Sequence, residues 1–311
     1  MLARRRFGGS AAARRAALGA LTVALLAGIA ALAANRAPEP THEIPFEFRT
    51  HQPIIPVRVD GGEPVPFLFD TGASIHVIDA EIARQVGVTG AGERNMYGGG
   101  QAAARARFAA GLTLAAGGLQ WQRQRAAILD IGYPKRKHYA GMLGAPILMR
   151  YTVQFDWERR IMRLMDPAAY TPPAKATRVP FELDEDLPIV RAVVDAGSGP
   201  IEARLMVDTG AGADVDLNRP FVDAHNLLAA MPGAKLTDRP AGIGGTSPFL
   251  YGTGKSVTLG GIVFERPLLG LSRASSGSSS RAERDGVLGN DLLRRFVVTF
   301  DYRRRTLVLE G

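Results

Sequence analysis

The chain carries the same pattern twice, and this repetition limits what it can fold into. Pro66-Phe67-Leu68-Phe69-Asp70-Thr71-Gly72-Ala73 returns as Arg204-Leu205-Met206-Val207-Asp208-Thr209-Gly210-Ala211, 138 positions later. Gly141-Met142-Leu143-Gly144 returns as Gly286-Val287-Leu288-Gly289, displaced by 145. Tyr151-Thr152-Val153-Gln154-Phe155-Asp156 returns as Phe296-Val297-Val298-Thr299-Phe300-Asp301, at the same displacement of 145. Order and spacing kept together imply two homologous lobes of about 130 residues on one chain. The expected division is a leader over 1–37, an N-terminal lobe over 38–172 and a C-terminal lobe over 173–311. The junction falls near 167–177, where Pro172-Pro173 interrupts any regular element.

Each lobe reads as β-rich. Apolar runs at 54–59 and 65–69 flank the turn cluster Asp60-Gly61-Gly62-Glu63-Pro64 and predict a hairpin. The second lobe repeats it with 189–194 and 201–207 around residues 195–200. Short helices are expected near 79–86 and 219–228, the latter with Asn218 as N-cap and Pro220 in its first turn. Ser-Ser-Gly-Ser-Ser-Ser at 275–280 reads as a mobile low-complexity loop. The fold class is therefore all-β: two β-barrel-like lobes, a cleft between them, and a few short helices.

The chemistry lies in the repeated Asp-Thr-Gly-Ala. Hydrolysis of an amide without metal or side-chain nucleophile needs one group to activate water and another to protonate the amide. Two carboxyls about 3 Å apart can do both, because like charges that close share one proton. The pair titrates as a unit, so acid and base roles belong to the pair. Each Asp follows an apolar strand that fixes its backbone. Each Thr can hydrogen-bond across the lobe junction, and each Gly lets the loops approach.

The repeated apolar-apolar-Asp-Thr-Gly-Ala, the glycine-rich Met96-Tyr97-Gly98-Gly99-Gly100-Gln101 and the apolar-Gly element before the last strands resemble the retropepsin-like aspartic proteases. With both copies on one chain, the resemblance extends to the duplicated bacterial members and, more distantly, to pepsin. It covers roughly residues 44–311. It implies an aspartic endopeptidase of the acid-protease fold, with Asp70 and Asp208 as catalytic residues. Thr71, Gly72, Ala73, Thr209, Gly210 and Ala211 would form the supporting loops. Tyr97, Gly98, Gly99 and Gly100, with Gly242, Ile243, Gly244 and Gly245, would form flaps closing over a peptide. Tyr251-Gly252-Thr253-Gly254 spells a pepsin-like flap string in the wrong lobe and reads as the strand returning from the second flap. Members with Ser or Thr after the glycine give the carboxylate an extra hydrogen bond. Ala73 and Ala211 withhold it, which predicts a mildly acidic to neutral optimum.

Other patterns point elsewhere and fail. Gly254-Lys255-Ser256 lacks the phosphate loop's upstream glycine, since Phe249 stands there. Asp214-Val215-Asp216-Leu217-Asn218 begins like a calcium loop, but Arg219 replaces its glycine, and the acids read as the outward face of a strand. The histidines His42, His51, His76, His138 and His225 show no ligand spacing, so no metal and no cofactor is expected. The chain has no cysteine, which excludes disulfides and thiol catalysis.

The net charge of +8 comes largely from the leader, where Arg4, Arg5, Arg6, Arg14 and Arg15 occur without an acid. The remainder holds 33 basic against 30 acidic residues, so no nucleic-acid partner is expected. Residues 16–34 carry no charge and end on Ala31-Leu32-Ala33. This predicts export to the periplasm or envelope, by a cleaved signal peptide in preference to a retained membrane anchor. The partner is then a peptide or protein substrate, and both lobes on one chain imply a monomer. A non-catalytic peptide-binding protein of the same fold is the alternative function, and an envelope scaffold a third.

Overall fold

Short apolar runs punctuated by Pro and Gly produce a chain that is nearly all strand. The computed structural model describes residues 41–311. The expected signal peptide or anchor, with its apolar stretch at 16–34, lies outside the described residues. Among the described residues no helix is long and apolar enough to cross a membrane.

The first expected hairpin forms from Gln52–Val59 and Val65–Phe69, with Ile54 opposite Leu68. The chain leaves this hairpin at Asp70, loops, and returns as His76–Asp79. Gly141–Leu143 lies between the two, parallel to Val65–Phe69 and antiparallel to His76–Asp79. The second half is wired alike. Leu187–Asp195 pairs with Pro200–Val207, and Gly286–Leu288 runs parallel to Pro200–Val207 and antiparallel to Val215–Leu217. In both halves the inserted Gly-containing strand fixes where the Asp-Thr-Gly loop starts: the Asp70 N–H donates to the Leu143 carbonyl at 2.9 Å, and the Asp208 N–H to Leu288 at 3.0 Å.

The halves also share a sheet. An eight-stranded sheet runs within residues 47–143, while a fifteen-stranded sheet combines the second half with His42–Pro45, Thr152–Asp156 and Ile161–Met165 of the first. Thr152–Asp156 lies antiparallel to Val297–Asp301, so the two copies of the third landmark are neighbours, with Phe155 opposite Val298. Phe155 and Phe300 are fully buried and meet edge-on at 6.2 Å. Burying each such ring contributes roughly 1.5–3 kcal/mol, and one apolar cluster runs from Ile44 to Leu309. That continuity makes Pro40–Gly311 one compact unit.

The helices depart from expectation in detail. Ala80–Gln85 is capped by Asp79, whose carboxylate accepts the Glu81 N–H at 2.9 Å. The expected helix at 219–228 is split into Arg219–Ala224 and Leu227–Ala230, because Asn226 turns left-handed at φ 50°. Asn218 sits at the N-cap position, but its amide is used elsewhere, donating to the carbonyls of Arg281 and Arg284 at 3.4 and 2.9 Å. The outward-facing reading of Asp214 and Asp216 is corrected. Asp214 is buried and accepts the Leu268 N–H at 2.8 Å, and Asp216 turns toward the cleft. Val215 and Leu217 face the core while Asp216 faces the cleft, so alternation along this strand separates core from cleft rather than core from outer surface. The serine-rich segment holds a 3-10 turn at Ser278–Ser280 and is tied to the first flap rather than standing free.

Candidate active site

Both Asp-Thr-Gly loops emerge from strand ends at the junction of the halves, and their threonines lock them together. The Thr71 hydroxyl donates to the Val207 carbonyl at 2.8 Å and accepts the Thr209 N–H at 2.9 Å. Thr209 returns the arrangement, donating to the Phe69 carbonyl at 2.6 Å and accepting the Thr71 N–H at 3.1 Å. Both threonines are fully buried. Four hydrogen bonds between two threonines and the opposite strands thus set the separation of Asp70 and Asp208.

Glycine at 72 and 210 is required by that closeness. A Cβ on Gly72 would lie 2.6 Å from the Asp208 carboxyl carbon, and one on Gly210 would lie 2.7 Å from Asp70 Oδ1. The Gly72 N–H donates to Asp70 Oδ1 at 2.9 Å, and the Gly210 N–H to Asp208 Oδ1 at 2.6 Å. The two carboxyls come within hydrogen-bonding reach of each other. Burial on the cleft floor holds Asp70 well above the usual carboxylate range, and the charge of Asp208 and their shared hydrogen bond add to it. Burial raises Asp208 too, opposed by the hydrogen bond from Asp70, by the Gly210 N–H and by the Arg284 charge. One proton therefore stays on the pair at a pH where separate carboxyls would have lost theirs.

Below each loop the helix after the second landmark gives support. The Ala145 N–H donates to the Ala73 carbonyl at 2.8 Å, and the Asn290 N–H to Ala211 at 2.9 Å. Although Ala145-Pro146-Ile147-Leu148 and Asn290-Asp291-Leu292-Leu293 differ, both form one short buried helix. Asn290 adds its side-chain amide, donating to the carbonyls of Thr209 and His51 at 2.7 Å each.

His76 is buried beneath the first loop. Its Nδ1 accepts the Gly144 N–H at 3.1 Å, which leaves Nε2 protonated and directed at Gln124 Oε1, also at 3.1 Å. Burial, partly countered by Gln124, lowers its pKa from 6.5 to about 4. A proton on Nδ1 would face the Gly144 N–H. Because the folded value lies below the unfolded one, His76 favours the folded state fully above about pH 6.5 and loses that contribution as pH falls toward 4. The expected loss is roughly 3 kcal/mol. Chemical denaturation of wild type and His76→Asn at pH 7 and pH 4 checks it; the variant should show the shallower dependence on pH.

The remaining predicted site residues form the roof. Residues 97–103 connect Ala91–Met96 to Ala104–Ala116, and residues 241–245 connect Lys235–Pro240 to Thr246–Thr253. The two loops meet: the Gly100 N–H donates to the Ile243 carbonyl at 2.9 Å, and the Ala102 N–H to Gly244 at 2.9 Å. The Ser278 N–H donates to the Gly98 carbonyl at 2.9 Å, and the Ser276 hydroxyl to that of Gln101 at 2.7 Å. Tyr97 lines the cleft with 52% of its surface exposed. Tyr251 belongs to the returning strand, as its position in the repeat implies.

The cleft between floor and roof has a volume of about 550 Å³ and takes lining from both halves, Asp70 and Asp208 included. A hollow of about 620 Å³ lies at Ser74, Phe108 and three arginines, Arg94, Arg123 and Arg125, but its lining holds no carboxyl. Chemistry, not volume, selects the former. Among the cleft residues that sequence reasoning missed are Asp216, Arg239, Tyr251 and Arg284. Asp216 stood in the failed metal loop and Tyr251 in the misplaced flap string, while no motif contained Arg239 or Arg284. Among the described residues no group of His, Asp or Glu is placed to hold a metal ion.

Residues 55–147 match the family model described as Aspartyl protease. This segment contains Asp70 and its supporting loop, the first flap and the Gly-Met-Leu-Gly strand. Among curated proteins none matches the chain.

Proposed function

We propose that the chain, whose residues 55–147 match the family model described as Aspartyl protease, is an aspartic endopeptidase whose Asp70/Asp208 pair activates water against an extended peptide bound in the cleft. The observation that carries this reading is the closeness of the two carboxyls, packed against each other's glycine loops and each also held by the N–H of its own loop's glycine. The ionised member takes a proton from water as that water attacks the scissile carbonyl, and the protonated member donates to the carbonyl oxygen. As the C–N bond breaks, the proton gained from water passes to the leaving amine and a hydroxyl of the tetrahedral intermediate returns its proton to the pair, which again holds one. The joined roof loops must part to admit a peptide, and their closure over it would exclude bulk water. The rival, a peptide-binding protein, gains nothing from two repelling carboxyls held in the same place. Export to the envelope is proposed from residues 1–34 alone.

A library of diverse extended peptides should be cleaved at internal bonds, and a statine-type transition-state mimic should block the cleavage. Binding without cleavage from about pH 3 to about pH 8 would favour the rival. Ala73 and Ala211 carry no hydroxyl to stabilise the ionised pair, so kcat/KM should peak above about pH 4. Ala73→Ser is expected to move the profile toward acid, since the added hydrogen bond favours ionisation. A wild-type peak below that value would contradict the assignment.

A further inference from the structure

Strands at matching places in the two halves present different side chains to the cleft beside the paired carboxyls, while Arg136, Lys137 and His138 of the first half and Glu185 of the second also line it. In the first half Val77 lies opposite Met142 and beside Ala127, and Phe108 lies opposite Ala127. In the second half Asp216 lies opposite Val287 and beside Gly270, and Tyr251 lies opposite Gly270. Of the first-half residues packed together there, Leu68, Val77 and Met142 line the cleft as an apolar patch, with Ala127 and Phe108 behind them. Asp216 and Tyr251 instead begin a polar chain. The Tyr251 hydroxyl donates to Asp216 Oδ1 at 2.8 Å and accepts from Arg239 Nη1 at 2.8 Å, with the guanidinium 5.0 Å above the tyrosine ring. Gly270 makes room for it: a Cβ there would overlap Asp216 Oδ1 and lie 2.6 Å from the Tyr251 ring.

A second guanidinium stands on the same wall. Arg284 contacts the Met206 sulfur at 2.7 Å, and its charge reaches Asp208. The loop bearing it is held rigidly, by the Asn218 amide on the Arg284 carbonyl and by Asp285, which accepts the Arg204 N–H at 2.7 Å. Among the described residues neither Arg239 nor Arg284 has a carboxylate within ion-pair distance. Arg239 reaches Asp216 only through the tyrosine hydroxyl. Both guanidiniums line the cleft half-buried, and each keeps N–H donors for a planar, bidentate acceptor.

We propose that this wall is a subsite for an acidic side chain, so that the cleaved segment carries an apolar residue on one side of the scissile bond and Asp or Glu on the other. The proposal rests on the endopeptidase reading for its place beside the scissile bond. A basic side chain is disfavoured. Asp216 already accepts the tyrosine proton, and burial raises its pKa toward the neutral form. An incoming cation would meet Arg239 and Arg284 first.

The test uses three peptides with the same apolar residue on one side of the scissile bond and Glu, Gln or Lys on the other. Wild type should prefer Glu over Gln by at least about tenfold in kcat/KM, with Lys poorest. In Arg284→Met the Glu-to-Gln ratio should collapse toward one, and Arg284→Glu should turn the preference toward Lys. Calorimetry on Asp70→Asn supplies a second arm, in which the Glu peptide should again bind best. Glu-selective binding to Asp70→Asn, with no cleavage of any of the three peptides by wild type, would remove the endopeptidase reading and keep the subsite. Cleavage with equal rates for Glu and Gln, a preference for Lys, or binding blind to the side chain would overturn the subsite.

Discussion

Asp70→Asn is expected to lower kcat/KM for peptide cleavage by on the order of 10⁴-fold, about 5.5 kcal/mol of transition-state stabilisation. The amide cannot share a proton with Asp208, so neither activation of water nor protonation of the carbonyl has its partner. Asp208→Asn should cost as much, and the double variant little more, since the two act as one unit. Stability should move the other way. Both carboxyls are raised above the ordinary range by burial, so the folded state holds protons that the unfolded state releases. Wild type is therefore penalised as pH rises above the unfolded carboxyl value, and the neutral amide escapes the penalty. Asp70→Asn should melt above wild type at pH 7 and lose this advantage in acid. A variant that is inactive because it is misfolded would melt lower, so the two measurements separate a reacting group from a structural one. Retention of cleavage within tenfold of wild type would remove the mechanism.

Thr71→Val should be the most damaging isosteric change in the protein. It deletes one hydroxyl but leaves two buried groups without partners, the Thr209 N–H and the Val207 carbonyl. At about 1–3 kcal/mol for each orphaned group, a loss of roughly 2–5 kcal/mol is expected in urea denaturation. Thr209→Val should match it, because its hydroxyl makes the mirror-image bonds. The double variant should cost less than the two losses added, since the pairs share partners. Activity should fall even where the fold persists, because the threonines set the distance between the carboxyls. A loss below about 1 kcal/mol in either single variant would mean that the grip is not what holds the halves in register.

The pattern of the residues foretold more of the floor than of the walls. Asp-Thr-Gly before and after a period of 138 positions named both carboxyls, both hydroxyls and both glycines, and the structure brings all six together. Such residues are legible because each has one chemical requirement met by its immediate neighbours. The flaps were legible as glycine-rich turns, but not the hydrogen bonds that join them, nor the serine segment that braces them. Asp216 was misread because alternation marks the side of the strand away from the core but does not tell a cleft from the outer surface. Asn218 was assigned to its own helix, yet its amide serves a loop more than sixty positions away.

From its residues alone this chain determined a β-rich, twice-written architecture and the identity of the groups at its centre, since local propensity, turn chemistry and repetition act over a few positions at a time. Tertiary structure decided the charge of the cleft walls: Asp216, Tyr251, Arg239 and Arg284 come from four separate segments and share a surface only after the strands pair. It also decided the protonation of the floor. A carboxyl's affinity for its proton depends on what lies within a few ångströms in space, and for Asp70 the nearest charge is 138 positions along the chain.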